Sequence, residues 1–171
     1  ADFHPPSPYP VYDSVSRVFL TASTDWTVKL WAASRPQAPA RVLRTLPRFS
    51  NAVSDVRWAP AHPSAFAAAD GSGHVSLWDL TAQSAGPKEA VCLRDPVTCL
   101  RWNTAGNRIV AGTSAGAVSV LGVADRWCSS RVEDFAAVDS TLRTLHAQAD
   151  AAAKAPQQDQ APTAIATTMA Y

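Results

Sequence analysis

Apolar and polar residues alternate in blocks along the first three quarters of the chain, and the blocks resemble one another. RVFLTASTDWTVKLW (17–31), VSDVRWAPAHPSAFAAADGSGHVSLWDL (53–80) and VTCLRWNTAGNRIVAGTSAGAVSVLGV (97–123) superimpose position by position. Asp55-Val56-Arg57-Trp58 aligns with Cys99-Leu100-Arg101-Trp102. Val28-Lys29-Leu30-Trp31 aligns with Val75-Ser76-Leu77-Trp78 and with Val118-Ser119-Val120-Leu121. The repeat is about 43 to 47 residues, the length of one four-stranded propeller blade. Each complete unit offers an alternating strand, a Pro- or Gly-bearing turn, a short continuous apolar strand, a tight turn and a second alternating strand. Fourth strands are predicted at Arg41 to Leu46 and Ala90 to Arg94. The pattern predicts an all-β, partial propeller of about two and a half to three blades. The blades fall at 17–46, 53–94 and 97–123, within a repeat region of 17–130.

The flanks read differently. Residues 1–16 form a Pro-rich opening segment (FHPPSPYPVYDS), expected to be extended or looped because proline resists the helix interior. Beyond the repeats, Phe135, Val138, Leu142, Leu145 and Ala149 recur at steps of three and four, one face of an amphipathic helix over 133–153. Glu133 and Asp134 suit its N-terminal end. Residues 156–171 are Ala, Gln, Thr and Pro with little apolar periodicity, and disorder is expected there.

Composition narrows the function classes. The 171 residues carry a net charge of +1, so no strong field for nucleic acid or anionic membrane is implied. No apolar run approaches the ~18 residues of a membrane span. Three cysteines without a CxxC pair, Cys92, Cys99 and Cys128, suggest buried free thiols in a reducing compartment. The start at Ala1 and the small number of blades lead us to expect a fragment.

Candidate chemistry is sparse. His4, His62, His74 and His146 show no metal-ligand spacing. The glycines of Asp70-Gly71-Ser72-Gly73 lack the downstream Lys-Ser/Thr of a phosphate loop, and there is no GxSxG elbow. No catalytic residue, metal or cofactor is assigned, and the chain is expected not to be an enzyme. Arg35, Arg41, Arg44 and Arg48 read as a solvated loop and edge strand. The informative residues are structural. Trp31, Trp58, Trp78 and Trp102 recur at strand positions where an indole fills the space between sheets. Trp78-Asp79 closes a strand. Asp25 is expected to bond backbone N–H groups of its turn, and its equivalents are Ser72 and Ala115.

Together these residues resemble a family. Trp78-Asp79 at the end of a blade-sized repeat is the dipeptide of WD40 repeats. FLTASTDWTVKLW, followed by the second and third units and a terminal helix, resembles the C-terminal end of a dynein intermediate chain. The likeness covers roughly residues 17 to 150. Trp26, which stands where a turn glycine is usual, separates this family from other WD40 proteins. The element formed by Trp58, Pro60, His62, Pro63 and Phe66, followed by D-G-x-G, is more similar to cytoplasmic than to axonemal forms. Leu121-Gly122 departs from the pattern in the last unit.

The resemblance implies a non-catalytic scaffold of the dynein motor complex, its propeller binding the dynein heavy chain in the cytoplasm on microtubules. An axonemal complex would place it in a cilium or flagellum. Light chains and dynactin would bind an N-terminal region outside this sequence. An unrelated WD40 adaptor is the alternative. Trp26, Phe135, Val138, Leu142 and Leu145 are the candidate partner-binding residues. The Trp26 ring is expected to lie over a neighbouring loop or a partner, and the helix to dock on the propeller or on the heavy chain.

Overall fold

In a computed structural model the chain is three packed antiparallel sheets and one long helix. The structure describes residues 1–33, 39–46, 49–82 and 86–154. The predicted disordered tail and Arg35 and Arg48 lie outside them. The first sheet runs β1 (Asp2–Phe3), β2 (Val18–Ala22), β3 (Val28–Ala32), β4 (Arg41–Leu46) in spatial order. The second is β5 (Val53–Trp58), β6 (Ala65–Asp70), β7 (His74–Asp79), β8 (Glu89–Cys92). The third, among the described residues, has three strands: β9 (Val97–Trp102), β10 (Arg108–Thr113), β11 (Val118–Gly122). This is a partial propeller of consecutive blades, each sheet a meander of neighbouring strands. The second outer strand begins one residue earlier and stops two residues sooner than the pattern suggests.

One aromatic ladder explains how the blades stack. Cross-strand pairing sets Trp58 beside Phe66 and Phe66 beside Trp78. Phe66 and Trp78 are stacked at 6.2 Å, and Trp58 meets Phe66 edge-on at 5.5 Å. All three are buried against Val18, Leu20, Val28 and Leu30 of the first sheet. The other face of β6 is alanine at 65, 67 and 69, which lets the third sheet approach closely. There Ala67, Ala69 and Val75 meet Leu100, Ile109 and Ala111, with Trp102 and Leu121 at the margin. The same register recurs in the first sheet as Phe3, Phe19 and Trp31. That ladder has no sheet to cover it: Phe3 is 63% exposed and Trp31 is only half-buried. At the opposite end the uncovered face of the third sheet carries Val118 and Val120, 69% and 59% exposed.

The opening segment corrects its expectation. It is extended at the short strand β1, as expected, but turns into a 3-10 helical stretch over Pro10–Arg17 that is kinked at Tyr12 rather than a loop. Pro10 stands at the first helical position, where its missing N–H costs nothing. Asp13 and Arg17 pair at 2.5 Å across one turn, and Val15 is fully buried. The terminal helix α1 (Val132–Lys154) returns to this segment and to β4. It is not long and apolar enough to cross a membrane, nor is any other described helix.

Candidate functional site

The turn between β2 and β3 is built almost wholly from its own side chains. The Asp25 carboxylate accepts the Thr27 backbone N–H at 3.1 Å and the Thr27 hydroxyl at 2.6 Å. Its second oxygen takes the Lys29 ammonium at 2.9 Å, and the Asp25 N–H donates to the Ser23 hydroxyl. The Thr27 hydroxyl and the Lys29 ammonium hold this carboxyl well below the usual carboxylate range. Between Asp25 and Thr27 sits Trp26 at φ 65°, the only non-glycine in the left-handed region among the described residues. Gly73 and Gly116, which align with it, have φ 88° and 81°. A bulky side chain there is an outlier with a cost on the order of 1–3 kcal/mol. The indole is 52% exposed.

The aspartate device moves rather than disappears in the second blade. Asp70, two residues ahead of Ser72, accepts the N–H groups of Ser72 and His74. Asp79 does the same for Thr81, accepting its N–H at 2.9 Å and its hydroxyl at 2.7 Å. Trp78 is buried and donates to the Ser76 hydroxyl at 2.8 Å. Trp31 donates to Thr21 and Trp102 to the Arg57 carbonyl of the adjacent blade. Trp58 is buried, its ring 4.7 Å from His4.

Two carboxylates join blades in a way the repeat alignment does not announce. Asp2 on β1 accepts the backbone N–H of Trp58, and Asp55 on β5 accepts that of Leu100, both at 2.9 Å. Arg57 pairs with both acids, and Arg101 reaches Asp55. Each acid sits on the first strand of its sheet and bonds one step ahead on the next. Cys99 occupies the matching place in the third blade. His4 also spans blades, with Nε2 2.8 Å from the Pro63 carbonyl oxygen.

The helix face expected to meet a partner is turned inward. Phe135, Val138 and Leu142 are buried, and Leu145 is half-buried. Val138 and Leu142 pack with Val15, Leu43 and Leu80, and Phe135 stands edge-on to Tyr9 at 5.2 Å. These apolar residues pack within the chain, which is the propeller-docking alternative of the expectation for the helix. Polar clasps hold the same helix. Buried Asp139 accepts the Ser14 hydroxyl and pairs with Arg143 at 2.8 Å, and Arg41 pairs with Asp150. Arg44 donates to the Leu80 carbonyl.

One cluster has the look of chemistry. His62 lies 3.9 Å from Asp134 and 3.3 Å from the Ser64 hydroxyl. The His62–Asp134 separation is beyond hydrogen-bonding range, and Ser64 is 3% exposed. Burial pushes the His62 imidazole down, against the neighbouring charges of Asp134 and Asp79. The thiols also depart from expectation: Cys92 and Cys99 are exposed, and Cys128 is half-buried, its pKa raised by burial and by Asp125. All three are free.

The family "WD domain, G-beta repeat" matches residues 40–79. Cytoplasmic dynein 1 intermediate chain of Drosophila melanogaster is 32% identical over 130 residues, covering 75% of this chain and 19% of that protein. The WD40 repeat region of this chain matches dynein intermediate chains. Cytoplasmic dynein 2 intermediate chain 2 of Mus musculus is also 32% identical, over 134 residues, 74% of this chain and 24% of that protein. The chain thus spans about a fifth to a quarter of the length of these relatives. Among solved structures, the WD40 domain of Toxoplasma gondii coronin superimposes with a TM-score of 0.54 at 18% identity. It covers 63% of this chain and 28% of that one, a likeness of fold.

Proposed function

We propose that this chain is the propeller end of a non-catalytic scaffold subunit of a dynein motor complex, and that its blades bind the dynein heavy chain. The observation that carries this is the similarity of three quarters of the chain to intermediate chains of two cytoplasmic dyneins. The structure is compatible with scaffolding. Its buried polar groups are spent on turns, blade-to-blade bonds and the helix clasp, and its exposed end faces are apolar. The site of action on this reading is the cytoplasm, on microtubules, with light chains and dynactin recruited elsewhere in the complete protein. The two relatives belong to different complexes, cytoplasmic dynein 1 and cytoplasmic dynein 2, and membership of the latter is the second reading.

Affinity purification of the complete gene product, followed by mass spectrometry of its companions, tests the proposal. A heavy chain recovered with light chains supports it, and the identity of the heavy chain separates the two complexes. Companions drawn from other machinery would leave an unrelated WD40 adaptor as the reading.

A further inference from the structure

We infer that Trp26 is a preorganised anchor that inserts into an apolar cleft of another dynein subunit, with the heavy chain as the subunit to test. The inference deepens the proposed function and rests on it. Three observations carry it. First, the backbone at Trp26 is left-handed, where the two sibling turns place Gly73 and Gly116. Glycine satisfies this fold at that position without strain, so the fold itself gives no reason for an indole. Second, the indole earns little inside the chain: half of it is exposed, and no aromatic ring of the described residues packs on it. Third, the turn is rigid. Asp25 fixes both Thr27 and Lys29, and Ser23 bonds Asp25 and Thr27. The backbone that carries the indole is thus held before binding, and the side chain itself has only two torsions to fix, so little freedom is lost on docking.

The chemistry of the occupant follows from the neighbours. The cation of this hairpin, Lys29, is already paired with Asp25. The turn therefore presents an apolar ring with its charges neutralised. A nucleic acid would require unpaired cations beside the ring, whereas an apolar cleft on a folded protein requires none. The sibling turns at the same end of the next two blades are small: Gly71, Ser72 and Gly73 in one, Ala115 and Gly116 in the other. They leave the indole as the projecting feature of that end. One ring buries too little to hold a complex alone, so it acts as the anchor of a wider contact.

The test compares the complete protein with its Trp26→Gly and Trp26→Phe variants. Heavy-chain recovery and thermal midpoint are measured on the same preparations. Trp26→Gly is expected to fold as well as the parent or better, because strain is relieved, and to lose about tenfold or more of its heavy-chain affinity. Trp26→Phe is expected to retain much of that affinity. Undiminished recovery by Trp26→Gly overturns the inference while the heavy-chain reading stands. A lowered midpoint in Trp26→Gly also overturns it, by showing that the ring packs against another part of the same protein. Failure of the parent protein to recover heavy chain overturns both.

Discussion

Asp55 shows how much one side chain can hold. Its carboxylate is mostly buried and bonds the Leu100 N–H of the next blade while facing Arg57 and Arg101. Asp55→Ala leaves that N–H without its acceptor, a loss of about 1–3 kcal/mol, and Asp55→Asn recovers part of it. Chemical denaturation of the complete protein checks both. His62 gives the residue scale a pH dependence. Burial lowers its pKa in the folded state below the ordinary 6.5, so folding favours the neutral ring. Its contribution is complete above about pH 6.5 and is lost as pH falls through the lower folded value, because the unfolded chain then binds the proton more readily. His4 is lowered in the same direction by burial. A thermal midpoint that falls between pH 7 and pH 5, with a smaller fall in His62→Gln, is the expected result. Of these residues the sequence announced only some. Asp25 was legible because an acid two residues before the N–H it accepts is a local device; Asp79 was read only as the end of a strand, although it does the same for Thr81. Asp2 and Asp55 were not legible, since the N–H groups they accept lie on another blade, 56 and 45 residues away.

At the scale of elements, the helix α1 was legible from its period of three and four, and its destination was not. Periodicity reports that a face must be covered and is silent about what covers it. The structure supplies the answer: the 3-10 helix, β4 and Leu80 form the floor beneath Val138 and Leu142. α1 thereby straps the third blade's C-terminal continuation back to the first blade. Leu142→Ala removes a side chain that is 1% exposed and is expected to cost about 2–5 kcal/mol, the usual range for such a cavity. Limited proteolysis should then cut within 125–132 more readily; an unchanged pattern would mean that the helix is not held by this face. The 3-10 helix itself was hidden by its prolines. Proline is read as a helix breaker, yet Pro10 occupies the one position where it is tolerated. Strand β1 was missed because two residues carry no period.

For the whole molecule, the repeating blades were visible as a repeat because each reuses the same alternation of strands and turns. The direction of stacking was not visible, because it depends on which face of each sheet carries the ladder. The aromatic face of one sheet covers the aliphatic face of the sheet before it, as Trp58, Phe66 and Trp78 cover Val18, Leu20 and Leu30. At the two ends this rule leaves Phe3, Phe19 and Trp31 at one side and Val118 and Val120 at the other. Complementary open ends on one chain make a head-to-tail contact that does not close. The 171-residue chain by itself is therefore expected to associate progressively with concentration in sedimentation velocity. Val118→Lys with Val120→Lys should suppress the association, and a parent chain that stays monomeric would remove the open-face argument.

The central claim is that these blades end the scaffold of a dynein complex by binding its heavy chain. The most direct measurement is equilibrium binding of the purified complete protein to a recombinant dynein heavy-chain tail. Saturable binding by protein shown to be folded is the predicted result. No binding by the same folded protein, at concentrations where its blades are intact, would contradict the account.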